Sequence, residues 1–138
     1  MLVFSFGLAL ALTGWLGTPQ ERFSVEETFA KLALPPVPAR QYESLAYNRL
    51  FFVRLELDED PRRDFLRSLS EFEVTRGVPE RPISLKLERA WWDPPEKQEG
   101  TTWHRGEVTV WNPDNRPDLF YAVLATEKTG GAEESTRD

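Results

Sequence analysis

The chain has one histidine, His104, which is the residue best suited to act as a general base. A hydrolase would also need a carboxylate to orient this histidine and a hydroxyl to serve as nucleophile. The residues of the right type are three acids and two alcohols: Asp93, Glu107, Asp114, Ser84 and Thr102. Because no G-x-S-x-G pattern marks a nucleophile, the sequence assigns no catalytic residue. A hydrolase that uses His104 remains an alternative hypothesis.

The composition argues against metal, cofactor and nucleic-acid sites. With no cysteine and one histidine, thiolate sites and multi-histidine sites are excluded within one chain. The acidic run at residues 58–60 lacks the glycine-containing calcium-loop pattern, and the sequence has no glycine-rich phosphate loop. The formal net charge is −6, from 23 acidic and 17 basic residues, whereas nucleic acid requires a basic face. We therefore expect no metal, no cofactor and no nucleic-acid partner.

Tryptophan is concentrated in the second half of the chain. The stretch Trp91-Trp92-Asp93-Pro94-Pro95 holds two of the five tryptophans side by side. The candidate binding residues are the tryptophans of this region and the neighbouring acid: Trp91, Trp92, Asp93, Trp103 and Trp111. Exposed tryptophans stack on sugar rings and anchor protein interfaces, but in a small domain they also fill the core. Three interpretations stay open: core residues, a protein or peptide interface, and a glycan-binding platform built from Trp91, Trp92 and Trp103.

A strand and a helix are predicted upstream of these residues. Apolar side chains alternate over residues 50–57, which is typical of a half-buried strand. Asp60 and Pro61 then have the types expected of an N-cap and of a first helical residue. The apolar stripe that follows predicts an amphipathic helix through Phe65, Leu66, Leu69 and Phe72.

Three more strands are predicted around the tryptophans. Residues 83–87 alternate between apolar and polar, so they predict a strand that runs into the paired tryptophans. A polar loop is expected over 96–102, followed by a strand over 107–112. Residues 119–125 are apolar on both faces, which indicates a central strand.

The N-terminal part is predicted to lie outside the compact domain. Residues 1–17 carry no charged side chain, and their length falls between that of a signal-peptide core and that of a spanning helix. They are predicted to be a signal peptide or an uncleaved membrane anchor, with a buried soluble helix as the remaining alternative. Ser24 and Glu27 form a capping box before a short helix over 25–34, and the prolines at 35–38 predict a tether.

These elements predict an α+β fold. It consists of a small, mainly antiparallel sheet of about four strands with one main helix packed on a face, preceded by an N-terminal hydrophobic helix. The expected organisation is a signal peptide or anchor (1–17), a short helix and proline-rich linker (18–42), the α+β domain (43–128) and a disordered tail (129–138).

Several short stretches within residues 47–125 are similar to a group of bacterial proteins. They are Val53-Arg54-Leu55, Phe65-Leu66-Arg67-Ser68-Leu69, Trp91-Trp92-Asp93-Pro94-Pro95 and the Phe120-Tyr121 pair. The chain resembles small, uncharacterised bacterial proteins, often secreted or lipid-anchored, that share a late W-W-x-P stretch and an aromatic C-terminal strand. The resemblance implies an envelope location and an α+β domain, and it implies no activity. Many of those proteins begin with a lipoprotein cysteine, which this chain lacks.

The sequence favours an exported or membrane-tethered accessory domain that binds a partner and is not an enzyme. It would lie on the periplasmic or extracellular face of the envelope, with residues 2–17 in the membrane if they are not cleaved. The expected partner is an envelope or membrane protein. Two alternatives from other classes are a glycan-binding envelope module and a small peripheral subunit of a membrane complex.

Overall fold

The computed structural model describes residues 20–21 and 23–125, and its main element is one antiparallel sheet. The strands are β1 (Gln20–Glu21), β2 (Gln41–Tyr47), β3 (Leu50–Glu56), β4 (Glu73–Gly77), β5 (Gly100–Arg105), β6 (Val108–Pro113) and β7 (Leu119–Ala125). The helices are α1 (Val25–Leu32) and α2 (Glu59–Ser68). The strands lie in the order β1-β2-β3-β7-β6-β5-β4, and every neighbouring pair is antiparallel.

The first helix begins at the predicted capping box, which is confirmed. The Glu27 amide donates to Ser24 Oγ at 3.0 Å, and the Ser24 amide donates to Glu27 Oε1 at 3.1 Å. The helix ends at Ala33, which adopts the left-handed conformation with φ 59°. Its last helical residue is Leu32, two residues short of the predicted end at residue 34.

The second helix begins earlier than predicted. Its N-cap is Asp58 rather than Asp60, and the Asp58 side chain binds Arg40 at 2.8 Å instead of capping an amide. The expected apolar stripe is largely buried, since Phe65 and Leu69 are fully inaccessible, whereas Leu66 is 37% exposed.

Two tight turns fix the register of the sheet. Asn48 and Arg49 join β2 to β3 and both have positive φ, which matches the right-handed twist of the flanking strands. Gly106 opens the two-residue turn between β5 and β6 with φ 57°. Strand β7 lies between β3 and β6 and has buried residues on both faces, so its prediction as a central strand is confirmed.

The sheet buries apolar side chains on both of its faces. On one, which we call the helix face, both helices cover a core that includes Phe29, Phe65 and Phe120. On the other, which we call the strap face, an irregular segment covers a smaller core that includes Phe52 and Trp111. We call this segment, residues 81–93, the strap.

The fold-class prediction is wrong in its proportions. The described residues are mostly β, with six strands of five to seven residues, the two-residue β1 and two short helices, instead of about four strands and one main helix. Strands β2, β4 and β5 were missed because polar and apolar residues do not alternate cleanly in them. The strand predicted over 83–87 is absent, because the amides of Ser84 and Leu85 bond to Glu80 and Pro82 in turns.

The segment predicted as a tether packs against the domain. Phe29 and Leu32 of α1 are fully buried, and Leu34 and Val37 are 6% and 8% exposed. These side chains belong to the core of the helix face.

Both ends of the described chain lie beside the β2–β3 turn. Gln20 is opposite Ala46, two residues before the turn at Asn48 and Arg49. Ala125 is opposite Leu50, the first residue after the same turn. The predicted leader at 1–17 and the predicted tail at 129–138 lie outside the described residues. Among the residues that are described, no helix is long and apolar enough to cross a membrane.

Candidate functional site

The strap is anchored to the sheet by Trp92. This side chain is 4% exposed and contacts the rings of Phe52 and Tyr121 edge-on, at centroid distances of 5.1 and 5.2 Å. Its indole N–H donates to the Leu85 carbonyl at 3.0 Å, which satisfies a polar group that would otherwise be buried without a partner. Trp92 is thus a core residue of the strap face.

Asp93 holds the end of the strap. Its Oδ1 accepts a hydrogen bond from the Tyr121 hydroxyl at 2.9 Å and lies 3.8 Å from Nε of Arg54. Burial, reinforced by the bond to Asp93, raises the pKa of Tyr121 to about 12. Tyr121 therefore stays protonated at neutral pH and acts as a hydrogen-bond donor rather than as a base.

The other two tryptophans on the strap face differ in exposure. Trp91 is partly buried and contacts Trp92 edge-on at 6.2 Å. Trp111 is fully buried, and its indole N–H donates to the Gly77 carbonyl at 3.3 Å. A Cβ at Gly100 would lie 2.8 Å from the Trp111 ring, so the absence of a side chain at Gly100 leaves room for the indole.

Trp103 lies on the opposite face of the sheet. It stands on β5 between Val74 and Val110, belongs to the periphery of the helix-face core, and lies 6.3 Å from the Phe120 ring. The structure therefore brings together four of the five candidate binding residues, Trp91, Trp92, Asp93 and Trp111, and separates Trp103 from them. Whether any of them binds a ligand stays a prediction.

An ion-pair cluster occupies the end of the sheet away from the β2–β3 turn. Arg40 donates to Glu56, Asp58 and Asp118 at 3.2, 2.8 and 2.6 Å. Arg54 donates to Glu56 at 2.7 Å, which is the main cause of the lowered pKa of Glu56. Hydrogen bonds from Arg116, and to a lesser extent from Arg40, lower the pKa of Asp118 to about 2. Glu56 and Asp118 are therefore held in their charged forms, and the cluster stabilises this end of the sheet.

His104 has a hydroxyl partner that differs from those expected. Its Nδ1 lies 3.2 Å from Oγ1 of Thr109, whereas Asp93 and Asp114 are bound to Tyr121 and Arg76. Thr109 is 8% exposed, so its hydroxyl is poorly accessible to a substrate. Among the described residues, no group of three or more potential ligands converges as a metal site.

The two edges of the sheet differ in how far the described residues cover them. At one edge β1 pairs with β2, and Phe23 extends this cover by donating its amide to Ser44 Oγ at 2.7 Å and accepting from the Tyr42 hydroxyl at 2.8 Å. At the other edge β4 pairs with β5 and with no other element of the described chain. Strand edges of this kind are templates for pairing with another chain.

The register determines which backbone amides and carbonyls of β4 point away from the sheet. The two-residue turn at Gly106 closes on a hydrogen-bonded pair, Arg105 with Val108, and such pairs alternate along antiparallel strands. Residues 101, 103 and 105 of β5 therefore bond to β6, and residues 100, 102 and 104 bond to β4. Their partners, residues 73, 75 and 77 of β4, direct their amides and carbonyls at β5. Val74 and Arg76 therefore point their amides and carbonyls away from the sheet.

The side chains of β4 leave this edge accessible. Val74 is 54% exposed on the helix face, directly opposite Trp103. Arg76, whose charge could otherwise protect the edge, is turned back onto Asp114 in a bidentate pair at 2.8 and 2.6 Å. We call the outer side of β4, with Glu73, Val74 and Arg76, the open edge.

Sequence reasoning missed the open edge. A usable signal was present, because Val74 and Thr75 are β-branched residues in a short run bounded by Phe72 and Gly77. Comparisons with protein-family models, with curated proteins and with solved structures find no match to this chain.

Proposed function

We propose that the chain is an accessory interaction domain of the cell envelope, exported or membrane-tethered, that binds a partner protein at the open edge and is not an enzyme. The observation that carries the proposal is β4, an edge strand with no cover from the described chain and with Val74 54% exposed beside Trp103. Natural sheets protect their edges with charges, prolines or covering segments unless an edge is used.

The membrane part of the proposal is supported by the uncharged residues 1–17. They precede β1, which is part of the sheet, so a retained N-terminal segment would hold the domain close to the bilayer. A partner in the same membrane or in the adjacent envelope could then reach the open edge. The same arrangement would suit a peripheral subunit of a membrane complex.

A glycan-binding function has less support. Sugar platforms present tryptophan faces to solvent, whereas Trp92 is 4% exposed and Trp103 lies on the other face from Trp91. A hydrolase is supported only by the distance from His104 to Thr109. His104→Ala should leave partner binding unchanged, and loss of a hydrolytic activity in that variant would favour the hydrolase instead.

The interaction proposal is tested by site-specific photo-cross-linking in cells that make the protein. Benzoylphenylalanine replaces Val74 in the full chain, and in a matched control it replaces Arg63, an exposed residue of α2. We expect one defined protein adduct from position 74 and none from position 63. Equal labelling from both positions, or none from either, would contradict the proposal.

The location is tested separately by cell fractionation and by sequencing the N-terminus of the mature chain. Recovery with the membrane and an intact Met1 supports a tether. Recovery outside the membrane on the far side, with a new N-terminus near Gly17, supports export. Recovery from the cytoplasm with the complete chain would contradict both.

A further inference from the structure

The open edge offers a row of backbone groups to which a strand can add. Val74 and Arg76 each direct one amide and one carbonyl outward, so the edge presents two donors and two acceptors at alternate residues. An extended peptide fits this spacing, because its own outward groups also alternate. A helix does not, since its backbone groups are bonded internally.

The side chains of the edge limit what such a peptide can carry. Val74 ends a row of register partners that crosses the sheet on the helix face: Val53, Ala122, Val110, Trp103 and Val74. A partner residue opposite Val74 would extend this apolar row by one position. An apolar side chain there would cover the exposed half of Val74.

On the strap face, the side chains at the open edge are acidic. Glu73 lies on the strap face, opposite His104, and Glu71 precedes it in the chain. Within residues 23–125 neither acid forms an ion pair, whereas the cation Arg76 is neutralised by Asp114. A lysine or arginine opposite Glu73 would therefore meet an unbalanced negative charge.

On these grounds, and resting on the function proposed above, we infer that the partner adds an eighth strand to the sheet at β4. The added strand is an extended segment of another protein in which an apolar residue faces Val74 and a neighbouring lysine or arginine faces Glu73. Adjacent residues of a strand point to opposite faces, so this alternation of apolar and basic residues is the pattern that the edge selects.

A second copy of the chain fits less well. Pairing two β4 strands about a twofold axis at Val74 would place Glu73 against Thr75 and add no cation to the acidic side. Head-to-tail pairing with the opposite edge is opposed by β1, which already occupies part of β2.

The inference is tested with the full chain in mild detergent and two fluorescein-labelled peptides of about eight residues. In one peptide valine alternates with lysine, and in the other valine alternates with glutamate. We expect the lysine peptide to bind about tenfold more tightly at low salt, and the difference to shrink at high salt. A benzophenone version of the lysine peptide should cross-link to β4.

Two variants separate the contribution of backbone hydrogen bonds to peptide binding from the contribution of charge. Val74→Pro removes an outward amide while the bonds from β4 to β5 remain, because proline is tolerated at an edge strand whose N–H faces solvent. It should weaken both peptides at least about tenfold. Glu73→Gln should reduce the preference for lysine to about threefold and leave the fold unaltered, which keeps the test valid if the proline variant unfolds. Arg63→Ala is the control and should change nothing.

The possible results distinguish this inference from the function on which it rests. Peptide binding that is lost in Val74→Pro supports strand addition. Equal binding of both peptides, or cross-links away from β4, overturns it. A defined cellular adduct at position 74 combined with no peptide binding overturns strand addition but leaves the interaction domain standing. A dimer that Val74→Pro dissociates would make a second copy the occupant and would also overturn the inference.

Discussion

The helix face and the strap face of the same sheet are covered in different ways. On the helix face, α1 and α2 satisfy their own backbone hydrogen bonds and contribute several fully buried side chains. On the strap face, turns cover the core, and much of the anchoring falls on Trp92, Ile83 and the bond between Asp93 and Tyr121. A cover built from regular elements spreads its stability over many contacts, whereas an irregular cover concentrates it in a few.

The largest expected effect comes from the principal anchor of the strap. Trp92→Ala should lower the free energy of unfolding by about 3–5 kcal/mol, as is usual for a buried tryptophan. Trp91→Ala, which removes the partly buried neighbour, should cost about 1 kcal/mol. Urea denaturation gives both values, and hydrogen exchange should show faster exchange in the strap of Trp92→Ala than in α2. Uniform acceleration over both faces would contradict the contrast between them.

The next effect tests the close packing beneath the strap. In Gly100→Ala the new Cβ would lie 2.3 Å from the Asn112 carbonyl oxygen and 2.8 Å from the Trp111 ring. Since a backbone oxygen cannot move aside, we expect a loss of about 2–3 kcal/mol. Thr102→Ala, on the same strand and face, is the control and should cost well under that amount. Similar melting temperatures for the two variants would disprove the expected clash.

Removal of the bond at the end of the strap should have a smaller effect. Asp93→Ala leaves the Tyr121 hydroxyl without its acceptor, and we expect a loss of about 1–2 kcal/mol. The bond to Asp93 contributes to the raised pKa of Tyr121, so this pKa should fall below about 12 in the variant. Titration of the tyrosinate absorbance measures the shift, with Asp93→Asn as the variant that retains an acceptor. An unchanged titration would mean that burial alone sets the pKa.

The ion-pair cluster predicts that the free energy of unfolding decreases at acid pH. The pKa of Asp118 is lowered from 3.8 to about 2, so its charged form is favoured in the folded state. The resulting stability is present above pH 4 and is lost as the pH falls toward 2. Asp118→Asn should remove about 1 kcal/mol at neutral pH, after allowance for solvent screening, and flatten the decline between pH 4 and 2. Denaturant midpoints measured across that range would show whether the slope persists.

The smallest effect is expected on the helix face and has the opposite sign. Ala33 adopts the left-handed conformation at the end of α1, which costs an alanine about 1 kcal/mol relative to glycine. Ala33→Gly should therefore stabilise the protein by about 0.5–1 kcal/mol. Ala30→Gly, within the same helix, should destabilise it by a comparable amount. If both variants lost stability, the left-handed cap would not be the controlling factor.

The helix face was the more predictable of the two from sequence. The capping box at Ser24 is a local pattern and is found where it was expected. Phe65 and Leu69 are buried on this face as their spacing predicted, but α2 ends at Ser68 and does not continue through Leu69 and Phe72. Apolar alternation located β3, and a run that is apolar on both faces located β7. The prediction that β3 is half-buried is wrong, because Phe52 is buried on the strap face as Phe51 is on the helix face.

The strap and the outer strands could not be predicted in the same way. Residues 83–87 alternate like a strand, but prolines and turns remove them from the sheet, and Ile83 is buried by contact with the strap-face core. Strand β4 has no buried residue, so burial left no periodic signal in it. Its place is determined by pairing with β5, which is a non-local property. The separation of Trp103 from Trp92 follows from the same unpredicted register.

The position of Gln20, at the start of the described chain, has a consequence for how the domain would meet its surroundings. Gly17 and Gln20 are three residues apart, a distance that an extended chain spans in about 10 Å. If residues 2–17 are held in a bilayer as proposed, the end of the sheet with the β2–β3 turn is the end nearest the membrane, because Gln20 pairs with Ala46 beside that turn. A partner anchored in the same bilayer would then reach the open edge by lateral diffusion.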